Sequence, residues 1–227
     1  MEIGGAADAD PAAAVVPAAD VDPAVASHPD IQICSLPGML VVSPGIFDAV
    51  REILPKSANG NGHSIVRGAF APSGAYPADI RYNGACFGRF FMHNLKYTDP
   101  VILERTAALG LEPVMVRQGY TKCNTVIVDD SAIITSDAGI ASAAECKGIA
   151  ALLVRQGHVR LDGHPYGFLG GASGRFGNRI IFNGDLTAHP DFEAIADFIG
   201  SRGAVAEYFT GYPLEDIGSI LFAGDEL

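Results

Sequence analysis

The stretch Val116–Asp137, "VRQGYTKCNTVIVDDSAIITSD", ends one segment of the chain and starts another, and its first four letters return at Val154–Gly157. A four-letter match within 227 residues is weak alone, so the flanks decide whether it marks an internal repeat. Both copies follow an apolar β-type run, "EPVM" before the first and "IAALL" before the second. Each therefore sits at the end of a unit's last strand, and this shared context identifies a real, diverged repeat.

The same unit order extends outward in both directions from His28 onward. In the first unit "MLVVSPGIFDAVREIL" reads as a strand, then a helix with Ser43 as N-cap and Pro44 at its first position. Ile46, Val50 and Ile53 fall on one face of that helix, and "HSIVRG" is the strand that follows. In the second unit "ACFGRFFMHN" is a β run, Asp99-Pro100 starts a helix, Gly110 stops it, and "EPVMVRQG" is a strand. In the third, "NTVIVDDSAIITSD" reads as two β runs about an Asp129-Asp130-Ser131 turn. Ser136 or Asp137 caps the helix "AGIASAAECKG", and "IAALLVRQG" closes the unit. The fourth offers "GNRIIFNGDL", a helix "HPDFEAIADFIGSRG" starting at Pro190, and the strand "AVAEYF". "EDIGSILF" reads as the opening strand of a further unit that the chain does not finish.

One strand–strand–helix–strand unit cannot bury its own sheet face, so four of them and a fragment must share a core. A doubly wound sheet of the kind that binds metabolites would place one strand between successive helices. Two or three β runs separate them here, which favours a small mixed sheet per unit, arranged radially. The last fragment then completes the first unit's sheet and removes a bare edge.

Composition narrows the function. Hydrophobic residues make up 48% and charged ones 18%, ample for a buried core. A formal charge of −11 argues against nucleic acid and anionic lipid as partners and is compatible with small cationic ligands. Cys34, Cys86, Cys123 and Cys146 are irregularly spaced, which fits neither a zinc site nor a disulfide framework. Residues 1–26, rich in Ala, Pro and Asp, lack a basic start and an unbroken apolar run. They read as a flexible tail before a single domain over residues 27–227. A reduced, soluble, cytoplasmic protein without cofactor or metal is expected.

Few motifs carry chemistry. The glycine-rich "GGASGRFGNR" runs into the strand "RIIF" rather than a helix and lacks Gly-Lys-Ser/Thr, so it is no phosphate cradle. It reads as close main-chain packing against a neighbour, or as close approach to a small ligand. The six histidines show no helical metal spacing; His158, Asp162 and His164 lie in a turn, and His189 precedes Pro190 at a helix start. Cys123 follows Lys122, a cation able to lower a thiol's pKa, although most free cysteines are buried small hydrophobes.

With these blocks read, the unit pattern and "KCNTVIVDDSAIITSD" resemble the guanidino-modifying enzyme superfamily, the penteins. The resemblance implies an α/β fold, a propeller of repeated ββαβ units around a pseudo-fivefold axis, here with its last unit incomplete. Asp129, Asp130 and Thr135-Ser136 occupy places similar to the acidic hairpin of the agmatine deiminase branch. In detail, "GGASG", "FNGDL", "HPD" and "LEDIGSI" resemble the blocks of an uncharacterised bacterial family assigned to that fold. The resemblance implies a ligand on the axis, a nucleophilic cysteine, a proton-relaying histidine and acidic residues gripping a guanidinium. The sequence departs from this where Gly218-Ser219 stands in place of His-Cys, where "GGASG" lacks a histidine, and where Thr121-Lys122-Cys123 replaces Glu-Gly-Gly. Two expectations follow. Either Cys123 or Ser219 is a nucleophile in a rearranged amidino hydrolase or transferase site, with Asp216 or Glu215 orienting the substrate and Lys122, Asn124, Gly171, Ser173 and Asn83 binding a small polar or cationic molecule. Or the propeller is inactive and serves as a binding or structural module.

Overall fold

A computed structural model of the protein describes residue 18 and residues 21–54 and 64–222. After a short helix α1 (Pro29–Gln32), four units follow in chain order. The first comprises β1 (Ile33–Leu36), β2 (Met39–Val42), α2 (Phe47–Ile53) and β3 (Ser64–Arg67). The second comprises β4 (Ala85–Phe87), β5 (Phe90–His93), α3 (Pro100–Ala108) and β6 (Glu112–Met115). The third comprises β7 (Thr125–Asp129), β8 (Ala132–Thr135), α4 (Ala138–Glu145) and β9 (Ala150–Leu153). The fourth comprises β10 (Ser173–Phe176), β11 (Arg179–Phe182), a 3-10 turn (Leu186–Ala188), α5 (Phe192–Ser201) and β12 (Val205–Tyr208).

Each unit forms its own three-stranded sheet with the second strand in the middle. That strand pairs antiparallel with the first and parallel with the third, in all four cases. Four separate small sheets rule out the doubly wound alternative. The sequence reading had resolved a hairpin only in the third unit. In every unit the first two strands are joined by two residues: Pro37-Gly38, Gly88-Arg89, Asp130-Ser131 and Gly177-Asn178. Gly38, Gly88 and Gly177 carry the positive φ such tight turns demand. The third unit uses instead the Asp129 carboxylate, which accepts from Ser131 N–H at 2.7 Å.

The middle strands explain the long apolar runs. Phe91 of β5 packs toward the first unit, whereas Phe90 and Met92 pack toward the third. Ile133 of β8 faces the second unit and Ile134 the fourth. Since side chains alternate along a strand, β5 and β8 are each buried on both faces, and the cores lie at the joints between units. First strands also pack in sequence, β1 against β4, β4 against β7 and β7 against β10.

Helix starts are set by aspartates. Asp99 caps α3, with Pro100 at its first position, and Asp137 rather than Ser136 caps α4. The first helix begins later than expected, at Phe47. Ser43 does not cap it but donates to Gln32 Oε1 at 3.2 Å, and Ile53 is 46% exposed.

Two further expectations change. "EDIGSILF" forms no strand, and among the described residues the first sheet consists of β1, β2 and β3. Gly218 and Ser219 both have positive φ, which breaks extended backbone. The segment nevertheless joins the two ends: Ile220 N–H donates to Ser173 O at 2.9 Å, and Asp30 N–H to Gly218 O at 3.2 Å. The expected tail also changes character. Ala18, Val21, Val25 and Ala26 are buried with Ile31 against Tyr120 and Leu161, so packing begins upstream of residue 27; residues 1–17, 19 and 20 lie outside the described residues. No described helix is long and apolar enough to cross a membrane.

Asp99 predicts a graded stability test. Its buried carboxylate accepts from the N–H groups of Val101, Ala69 and Phe70, so Asp99→Ala takes the shared acceptor from part-buried donors of two units and should cost about 3 kcal/mol. Asp137→Ala removes an N-cap and should cost about 1 kcal/mol. Urea denaturation measures both; equal effects would refute the linking role of Asp99.

Candidate functional site

The residues just before each first strand meet at one place. Asp30 precedes β1, Asn83 precedes β4, Cys123 precedes β7 and Gly171 precedes β10, while Asp216–Ser219 come from the closing segment. All six named residues are buried.

Asn83 organises the first three. Its Oδ1 accepts from Lys122 N–H at 2.8 Å and Cys123 N–H at 3.2 Å. Its Nδ2 donates to Asp30 O at 3.3 Å and to Cys123 Sγ at 3.1 Å. Asp30 then gathers the chemistry: its Oδ2 accepts from Cys123 Sγ at 3.0 Å and from Ser219 Oγ at 2.6 Å. Lys122 Nζ donates to Ser219 Oγ at 3.1 Å. Asp30 Oδ1 is buried and finds no hydrogen-bond partner among the described residues.

A second carboxylate lies alongside. Asp216 accepts from Phe168 N–H at 2.9 Å and Gly218 N–H at 3.0 Å, and His28 Nδ1 lies 3.6 Å from its Oδ1. A Cβ on Gly167 or Gly171 would collide with Asp216, and one on Gly170 with the main chain of Lys122 and Cys123. The glycine-rich segment therefore reads as close packing against neighbours, and its middle, Ser173–Phe176, is β10 itself.

Electrostatics follow burial. Burial first, then the Asp30 and Asp216 carboxylates, push the Cys123 thiol well above its ordinary range. This direction is opposite to the lowering expected of a thiol beside Lys122, and the thiol donates to Asp30 Oδ2. Burial lowers the Lys122 ammonium, opposed by Asp30, Cys123 and Asp216. Burial raises Asp216, with the Asp30 charge adding to it, and the N–H donors and His28 oppose the shift.

Of the residues singled out from sequence, Cys123, Ser219, Asp216, Lys122, Asn83 and Gly171 are brought together. Ser173 is adjacent: its hydroxyl donates to Gly170 O at 3.2 Å, and Ser219 Oγ lies at the same distance from that carbonyl. Asn124 is not part of the site: its amide bonds Tyr120 O and accepts from Ser136. Glu215 is also outside it, pairing its main chain with Asn183 and acting on Arg160. Sequence reasoning missed Asp30 and His28. Their signal was the tripeptide His-Pro-Asp, which occurs both at His28–Asp30 and at His189–Asp191.

The chain belongs to a family of unknown function, DUF6873, whose model matches residues 12–221. No curated protein matches it. Among solved structures it is similar to the agmatine deiminase of C. jejuni, at 10% identity and a TM-score of 0.48. The match covers 78% of this chain and 66% of that enzyme's length.

The protonated state of Cys123 predicts selective alkylation. At pH 7 iodoacetamide should modify the exposed Cys146 and reach Cys123 only after denaturation. Peptide mapping reads this, and rapid labelling of Cys123 in the native protein would contradict the assignment.

Proposed function

We propose that the chain binds a small polar or cationic ligand, of guanidino or amidino type, at the polar cluster around Asp30. The proposal takes the four units and the closing segment as a pentein-type α/β propeller about a pseudo-fivefold axis. Side-by-side packing of β1, β4, β7 and β10 supports that arrangement, as do the bonds from residues 218–220 to both Asp30 and Ser173.

One observation carries the ligand reading. Asp30 is 1% exposed, its Oδ2 takes two donors, and its Oδ1 takes none. A buried carboxylate oxygen without a donor is costly, and an N–H-rich cation would supply what it lacks. Asp216 adds a second acidic group beside it. The planar fork of a guanidinium or amidinium suits a carboxylate better than a neutral solute does.

Thermal shift tests this with arginine, agmatine and simple amidines. A ligand present at 100 times its Kd stabilises by about 2.7 kcal/mol, which for a chain of this size raises Tm by about 5–10 °C. Asp30→Asn should fold cooperatively and lose the shift. Absence of any shift across the amidine series, or a full shift in the variant, would sink the reading.

A further inference from the structure

Binding alone does not call for an amine at a serine. We infer that Ser219 is a nucleophile and Lys122 its proton acceptor, attacking an sp2 carbon that bears a nitrogen leaving group in the ligand proposed above, on whose binding this inference rests.

Geometry singles out Ser219. Its Oγ is touched by Lys122 Nζ at 3.1 Å and by Asp30 Oδ2 at 2.6 Å. Among the described residues it is the non-glycine residue with positive φ, 71°, and it follows Gly218 at 76°. Such backbone persists where the surroundings fix it, and here Ser219 N–H is held by Gly171 O at 2.7 Å and Gly218 N–H by Asp216. The hydroxyl is thereby presented to the amine on a fixed main chain. Cys123, the competing nucleophile, makes no such contact; its Sγ donates to Asp30 and accepts from Asn83.

Lys122 suits the part because its stem is packed inside, and burial disfavours its charged form. In the reacting state the Ser219 hydroxyl turns its proton from Asp30 Oδ2 to the neutral amine, which takes it as the Oγ–C bond forms. The C–N bond to the leaving group then breaks, and the departing amine takes the proton from Lys122. Water repeats the sequence on the O-linked intermediate: Lys122 receives its proton, the C–O bond breaks, and the proton returns to Ser219. Asp30 Oδ1 holds the cationic end of the substrate throughout.

A small serine-directed reagent, phenylmethanesulfonyl fluoride, tests this on the full chain, with peptide mapping as readout. The expected result is an adduct on Ser219, absent in Ser219→Ala. Lys122→Met should slow labelling by at least about 100-fold, the scale of a lost general base. Lys122→Arg keeps the charge but cannot accept a proton, and should be equally slow if the methionine variant fails to fold. A native protein without an adduct on Ser219, or a lysine variant labelled at the wild-type rate, overturns the inference. The two failures are distinguishable: a thermal shift without Ser219 labelling refutes the nucleophile alone, whereas labelling without a shift refutes the binding reading and the substrate class that rests on it, and leaves Ser219 a reactive hydroxyl.

Discussion

The fold rests on a packing constraint: the middle strands β5 and β8 carry apolar side chains on both faces, and one unit supplies cover for a single face. Phe90 and Met92 need the third unit as much as Phe91 needs the first. Burial of such side chains contributes roughly 1.5–3 kcal/mol each, so an isolated unit would expose the surface that ought to stabilise it. Sharing faces leaves the units side by side, with their first strands adjacent. The segments that lead into those strands are then forced together, although they lie far apart in the chain.

The Val-Arg-Gln-Gly repeat acts on the same joints. After the third strand of one unit, the chain grips the aspartate at the helix start of the next. Gln118, in the first Val-Arg-Gln-Gly copy, donates to Asp137 at 3.2 Å, and Arg155, in the second, makes several bonds to Asp191. Between the first two units the N–H groups of Ala69 and Phe70 do this on Asp99. One carboxylate thus serves a helix start and a unit boundary, or in the case of Asp191 the boundary alone, since it makes no side-chain cap bond. Buried Asp99 is worth most; the exposed Arg155–Asp191 pair is screened by water and contributes little.

Period and punctuation made much of this legible. "NTVIVDDSAIITSD" announced its hairpin through a polar turn, and Asp99-Pro100 and Gly110 bracketed α3 as their chemistry requires. Hairpins turning on a single glycine were less visible: in "ACFGRFFMHN", Gly88 sits within an apolar run that reads as continuous. The closing segment misled because "EDIGSILF" has strand composition, while the positive φ of Ser219 is imposed by tertiary bonds to Gly171 that local sequence does not encode. Within the site, Cys123, Asp216 and Ser219 were found as polar residues at unit starts. Asp30 carries no such local signal, because its burial depends on residues nearly two hundred positions away.

Whether the cluster is only a joint turns on its cost. Five chain segments could be held together by apolar side chains, and replacing buried ionic groups by well-packed hydrophobic ones is often neutral or stabilising. This chain instead buries two carboxylates, an amine stem, an amide, a hydroxyl and a thiol, and packs glycines so closely around Asp216 that a methyl group would not fit. Most of these groups satisfy one another, which accounts for rigidity. Asp30 Oδ1 does not, and Ser219 is held in backbone that a serine adopts only under constraint. Stability alone requires neither an uncompensated buried carboxylate oxygen nor a serine at positive φ. Their presence side by side, with Lys122 on the serine, is the arrangement expected of a site that is completed by what it binds.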